Sequence, residues 1–522
     1  MDEGRGLVVC RGPAKLLSRM MVKRKGGGLL QHHLRVIGLM GLVGLFAVAG
    51  VDGGYPLVGG AAKLGLSSNP FRHREHAVRR MESLKASLTA VPSPSPSPPI
   101  SSRSRVYHVT DYGADPTGKT DSSEAIGKAI SDAFRDPSDR VLMAGVADLG
   151  GAEIHLGGGS YLISSPVTLP ATGGGNLKIH SGSLRASDDF PTDRYLIELW
   201  ASRSSGSDST NGDSNGYKYE YITLSGLMLD SNFRGGGTAI ENSLRTTIDD
   251  CYIVHFMSDG ILVQSGHETY IRNSFIGQHI TAGNDPGEKD FSGTGINLMG
   301  NDNAVTDVVI FSAAIGILVS GQANTLTGVH CYNKATGWGG TGIYLKSPGL
   351  TQTRIINCYL DYTSIVSEDP VQLHVSGSFF LGDANVVLKS VKGVINGVDI
   401  VDNIFSGGGN GVDIVQLDES NGKFGDVDQV IVQHNVVKGM TLRSTVAKAS
   451  MDGNAKVWTV DFSPVLLLPD RIQHVQYTLL ADSMFPNHAL RNTSGNQVVI
   501  ETEVAVAASV HVAVDQCVTS IG

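Results

Sequence analysis

The residues whose types and spacing could do chemistry are mostly carboxylates. Asp259 stands in Ser258-Asp259-Gly260-Ile261, at the head of an alternating apolar run. The segment that follows holds a long insertion from Gln278 to Ser292, carrying Asp285, Glu288, Lys289 and Asp290. Two carboxyl groups brought close together raise one another's pKa, so one keeps its proton while the other stays ionised. Such a pair does general acid–base work. Asp259 is therefore expected to act with one of Asp285, Glu288 or Asp290, because insertions in a repeat architecture gather on one face, often the binding face. The plainer alternative is a solvated acidic loop. Asp249 and Asp250 in Asp249-Asp250-Cys251, and His267 in Ser265-Gly266-His267, are weaker catalytic candidates. The first two read foremost as a turn, as does Asp230 in Leu229-Asp230-Ser231-Asn232. His330 reads as a packed polar residue. No cysteine spacing suits a metal, and neither metal nor cofactor is expected.

A repeat must position these groups. Gly-Ile followed by alternating apolar residues occurs at Gly260-Ile261, Gly295-Ile296, Gly316-Ile317 and Gly342-Ile343. It returns as Gly411-Val412, with a weaker copy at Asn385-Val386-Val387-Leu388. Between these copies lie short segments pairing a small polar residue or Cys with an aromatic or aliphatic one, such as Asp250-Cys251-Tyr252, Asn273-Ser274-Phe275 and Asn357-Cys358-Tyr359. A unit of this kind cannot bury its own apolar face, so units must stack. The expected fold is all-β, a single-stranded right-handed parallel β-helix over residues 105–440. A small β-rich C-terminal unit over 441–522 follows, with alternating strands at Lys456–Phe462, Arg471–Leu480 and Gln497–Val514. Cys251, Cys331 and Cys358 are expected at matching places in their coils, as stacked thiols or with a Cys331–Cys358 disulfide.

The chain has 522 residues, 65 of them Gly, with 17% charged residues and a net charge of −9. Beyond residue 49 the balance is more acidic still, which argues against nucleic acid and requires a local cationic patch for any polyanionic ligand. Residues 1–49 join a basic stretch to an apolar run from Val36 to Val51, with Ala47-Val48-Ala49 as a cleavage sequence. We read a secretory signal, with a signal anchor as the alternative. The secreted chain is expected outside the cell, in the wall, off the membrane and as a monomer. Residues 50–104 read as a low-complexity linker ending in the Pro-Ser alternation of Pro92 to Pro99. Asn492-Thr493-Ser494 is a glycosylation sequon.

Tyr107-His108-Val109-Thr110-Asp111-Tyr112-Gly113-Ala114-Asp115, then Gly118-Lys119-Thr120-Asp121, a helical stretch from Ser122 to Ala133, and Gly150-Gly151-Ala152-Glu153-Ile154 form a signature. It resembles the opening segment of the pectate-lyase-like β-helix superfamily, in which a helix, here N-capped by Asp121, plugs the open end of the solenoid. From about residue 105 onward the chain is similar to plant polygalacturonases of the QUARTET type, whose role is pectin breakdown in pollen mother-cell walls. The resemblance implies a glycosidase that cleaves α-1,4-galacturonosyl linkages by an inverting mechanism. Its two carboxyl groups would lie roughly 6.5–9.5 Å apart. Ordinary polygalacturonases carry Asn-Thr-Asp-Gly, Gly-Asp-Asp, Gly-His-Gly and Arg-Ile-Lys on successive coils. Here Asp259 matches the first motif at its Asp. Ser292-Gly293-Thr294-Gly295 lacks the paired Asp, and Ala314-Ile315-Gly316 lacks the His. Tyr344-Leu345-Lys346 keeps the Lys and replaces Arg by Tyr. Lys346 and Tyr344 are thus the implied substrate-binding residues, with Trp338 as a platform for a sugar ring.

Two other functions fit parts of the pattern. A β-elimination lyase needs an Asp cluster for Ca²⁺ and an Arg base; Arg272 and Arg354 are the candidates, each on the coil element opposite Asp259. A non-catalytic wall-binding solenoid needs neither.

Overall fold

The computed structural model describes residues 105–135, 137–199, 216–278, 292–332, 339–346, 348–349, 351–481 and 485–517. The signal and linker assignments, Trp338, and Asp285, Glu288 and Asp290 lie outside these residues. No helix among the described residues is long and apolar enough to cross a membrane.

Residues 106–438 form a parallel β-helix whose coils each contribute three short strands. Ladder one is a ten-stranded parallel sheet running through Tyr195–Leu199, Gly236–Glu241, Asp259–Gln264, Ser292–Leu298, Ala313–Val319, Thr341–Leu345, Ile365–Glu368 and Val386–Lys389 to Val415–Asp418. Ladder two stacks Thr247–Asp249, Tyr270–Arg272, Ala304–Thr306, Thr325–Thr327, Thr353–Ile356 and Val371–Ser376. Ladder three stacks Tyr252–Val254, Phe275–Gly277, Val309–Phe311, His330–Tyr332, Tyr359–Asp361 and Phe379–Leu381.

Like packs on like in the interior. Ile261, Ile296, Ile317, Ile343 and Ile365 are in register and wholly buried on ladder one, as are Ile248 and Ile271 on ladder two. Truncating one of these isoleucines to Ala costs about 2–5 kcal/mol. The glycine before each isoleucine has a steric cause. A Cβ on Gly260 would lie 2.7 Å from the Gly295 carbonyl oxygen, and one on Gly295 2.6 Å from that of Gly316. The coils pass too closely there for any side chain, and this made the repeat legible.

The corner between ladders two and three takes one left-handed residue per coil. Asp250, Asn273, Asp307, Asn357 and Asp402 have φ of 51 to 57°, a conformation Asn and Asp accept more readily than other side chains. Cys251 and Cys358 follow such corners and are buried. Cys331 does not match them: it lies inside a ladder-three strand, paired with Ile310 and Leu360. All three are free thiols, so the Cys331–Cys358 disulfide does not form. Ladder one also departs from the motif at its far end. The strand there is Val415–Asp418, and Gly411 to Ile414 precede it.

At the N-terminal end, helix α1 (Ser123–Arg135) buries Ala125, Ile126, Ala129, Ile130 and Ala133 against the first coils. Asp121 precedes the cap position rather than occupying it: Ile126 N–H bonds the Ser122 carbonyl as the helix begins. The Asp121 carboxylate instead accepts the N–H groups of Ser123 and Ser164, tying the helix start to the coil. At the other end Leu467 and Leu468 join the solenoid core. Val446–Asp461 and Gln497–Asp515 pair antiparallel, with His474–Ala481 and His488–Asn492 added to the latter, around a second core containing Trp458.

Candidate active site

Asp259 begins its ladder-one strand on the outer face, in register with Thr294 on the next coil. Its carboxylate accepts the Tyr195 hydroxyl at 2.9 Å and the Asn297 amide at 3.4 Å. Burial pushes the Asp259 carboxyl above the usual carboxylate range; hydrogen bonds from Tyr195, Asn297 and Thr294 offset part of that rise. None of these donors carries a positive charge, so the cost of ionising a half-buried acid is only partly offset. Tyr195 is fixed in turn. Its N–H bonds Glu198, which is fully buried and held by both nitrogens of the Arg194 fork. The Tyr195 hydroxyl is driven far above its usual pKa by burial and by Asp259, and so remains a donor. Tyr195 and Glu198 carry no signal in the sequence because their coil has no Gly-Ile motif, and Asn297 follows Gly295-Ile296 at an outward position that the motif does not constrain.

The residues on the rows beside Asp259 are Thr294, Ile315 and Thr341, in register. The described part of that row therefore supplies no second acid. The insertion is rooted at the same corner: Gln278, fully buried, donates through Nε2 to the carbonyls of Phe256 and Ser292, each at 2.7 Å. Thr294 N–H bonds the Ser258 carbonyl at 2.8 Å.

Further along the same outer face, Tyr344 donates its hydroxyl to Glu368 at 2.6 Å, and Lys389 reaches the same oxygen at 3.2 Å. Burial, then Glu368, raises the Tyr344 pKa. Glu368 sits on a coil that lacks the Gly-Ile pair, where Ser364 precedes Ile365, and so it too was missed. Lys346 is exposed just past the Thr341–Leu345 strand. Ile343 pairs with Ile365, which puts Asp259 and Glu368 four coils apart, about 19 Å along the solenoid axis at ~4.8 Å per coil, and at opposite ends of their strands.

The other candidates fall elsewhere. Asp249 ends a ladder-two strand, bound to Arg272 at 3.0 Å and Asn273 at 2.8 Å. Burial would raise its pKa, but the bonds from Asn273 and Arg272 outweigh it and lower the carboxyl. Asp250 is the left-handed corner residue beside it. His267 lies beyond the far end of the Asp259 strand and pairs with Asp302 at 3.0 Å. Asp230 is both a turn residue, accepting Asn232 N–H at 3.0 Å, and the partner of His255 Nδ1 at 2.8 Å. Arg272 is engaged by Asp249, and Arg354 lies on ladder two. Among the described residues no group of His, Cys, Asp and Glu could hold a metal ion.

A parallel solenoid of three strand ladders, entered through a helix at its N-terminal end, is the architecture of the pectate-lyase-like β-helices. Residues 106–363 match the family described as rhamnogalacturonase A/epimerase, pectate lyase-like. The chain is 62% identical over 458 residues to polygalacturonase QRT3 of Arabidopsis thaliana, covering 86% of this chain and 93% of that one. It belongs to the family of that protein. Among solved structures, it is 13% identical to the mannuronan C-5 epimerase AlgE6 A-module of Azotobacter vinelandii, with a TM-score of 0.40 over 64% of this chain and 98% of that one. A mutant tailspike protein of E. coli bacteriophage HK620 is 9% identical, with a TM-score of 0.46 over 79% and 94%.

Proposed function

We propose that the protein is a secreted glycoside hydrolase that cleaves α-1,4-galacturonosyl linkages of pectic polygalacturonan in the plant cell wall, including that around pollen mother cells. Asp259 carries this reading: a half-buried carboxyl with a raised pKa, on an outer β-helix face, held only by uncharged donors. It is the general acid that protonates the leaving oxygen. The base that activates water is one of Asp285, Glu288 or Asp290, on an insertion whose roots at Gln278 and Ser292 lie one coil from Asp259. The products then have inverted configuration. Lys346 and Tyr344 bind the substrate downstream, and Trp338 is assigned the role of a stacking platform for a sugar ring. The catalytic solenoid spans 105–440 and the C-terminal unit 441–522, after a signal at 1–49 and a linker at 50–104. Asn492, exposed at the end of its strand, takes the glycan, and the chain acts as a monomer off the membrane.

The test uses purified protein on polygalacturonate, with and without chelator. Hydrolysis yields new reducing ends without ultraviolet absorbance, unchanged by chelator. Unsaturated products that vanish with chelator would replace this reading by a lyase, and binding without products by a wall-binding solenoid.

A further inference from the structure

The outer face of ladder two holds a polar cavity that the hydrolase reading does not use. Its volume is about 490 Å³, within the size range of small-ligand sites. Thr325, Arg354, His374 and Asp399 line it from consecutive coils, each in register with the next. Gln352 and Gln372 form its edge at the corner where ladder one passes into ladder two, both with left-handed backbones of φ 59° and 52°. Asp259 begins a ladder-one strand, so this cavity opens on a different face of the solenoid from the acid.

Arg354 sets the chemistry. Most arginines near it in type are committed: Arg194 to Glu198, Arg245 to Glu220, Arg272 to Asp249 and Arg443 to Asp413. Arg354 is exposed, and among the described residues no carboxylate pairs with it. His374 and Asp399 touch only loosely, at 3.7 Å. A guanidinium fork matches a carboxylate with two parallel hydrogen bonds. The amides of Gln352 and Gln372, the Thr325 hydroxyl and the Asp399 carboxylate offer donors and acceptors for hydroxyl groups along an axis stepped at ~4.8 Å. A ligand that is acidic, hydroxylated and elongated fits all of these groups at once.

We propose that this cavity is a non-catalytic binding site for a uronic-acid residue of an acidic polysaccharide, with Arg354 gripping the carboxylate. The choice of uronate over other anions rests on the hydrolase reading. The site would hold a second stretch of wall polymer while ladder one works on the first, adding effective concentration without new contacts at the acid.

The test compares the full chain with its Arg354→Ala and Arg354→Lys variants by calorimetric titration with an oligogalacturonide, a neutral galactan oligosaccharide of equal length, and inorganic phosphate. Lys346→Ala, on the other face, is the control for the groove. We expect two classes of oligogalacturonide site in the wild type. Arg354→Ala should weaken one class about tenfold, the loss of one charge-assisted pair, and Arg354→Lys should fall between. The initial rate on a short oligogalacturonide should not change. Unaltered binding by Arg354→Ala overturns the proposal, as does equally tight binding of galactan or phosphate at this site. If the protein binds oligogalacturonide but never cleaves it, the hydrolase reading fails while the Arg354 comparison still decides this one.

Discussion

Two carboxylates on the same outer face, Asp259 and Glu368, meet opposite surroundings. Asp259 is reached by a phenol, an amide and a hydroxyl, all neutral, and its pKa rises. Glu368 is reached by a phenol and by the Lys389 ammonium. A hydroxyl donor is common to both; what differs is that Asp259 has neutral partners throughout whereas Glu368 has an ammonium at 3.2 Å. Strands of the same kind can thus hold one carboxylate among neutral donors and another against a cation.

The contrast can be broken from its foundations. Arg194→Met leaves Glu198 buried without its cation and should destabilise the fold by on the order of 3 kcal/mol, somewhat less because Arg194 is partly exposed. Tm by calorimetry checks this, and a Tm unchanged from wild type would mean Glu198 is not held as described. A smaller effect follows from Tyr195→Phe. The Tyr195 hydroxyl favours ionised Asp259, so removing it should raise the Asp259 pKa further and move the alkaline limb of the pH–rate profile to higher pH. The rate loss at the optimum should be about tenfold at most. Glu368→Gln should leave that limb where it is and raise KM for polygalacturonate modestly. A shifted limb there would show that the two carboxylates are coupled despite four intervening coils.

The smallest effect concerns stability against pH. A carboxyl whose folded pKa is raised contributes stability at low pH and loses it as pH rises through the folded value. Asp259→Asn should therefore be as stable as wild type at low pH and more stable near neutrality. His180 runs the other way. Burial lowers its pKa, helped by Lys178 and opposed by Glu153, while the His155 ring meets it edge-on at 4.6 Å and the His108 ring tilts against His155 at 5.1 Å. A depressed histidine contributes stability above its unfolded pKa and loses it on acidification. His180→Gln should therefore flatten the acid side of the Tm–pH curve.

The sequence carried the inward face well and the outward face poorly. Gly260, Gly295 and Gly316 were legible because the next coil's carbonyl forbids a Cβ there, and Gly342 because the Leu360 and Thr363 side chains crowd it, so spacing and residue type coincide. The N-terminal plug was legible because helix α1 has a strong apolar face. The outward rows obey no such constraint: Thr294, Ile315 and Thr341 follow Asp259 with no shared character. Tyr195 reaches Asp259 across 64 positions, a contact that only stacking creates. Cys331 misled because it shares a small, buried side chain with Cys251 and Cys358 while sitting at a different point of the coil.

The most direct test is reducing-end release from polygalacturonate by Asp259→Asn, at matched folding shown by its Tm. If Asp259 is the general acid, kcat should fall by about 10²–10⁴-fold with KM little changed. A variant that keeps wild-type kcat would contradict the account at its centre.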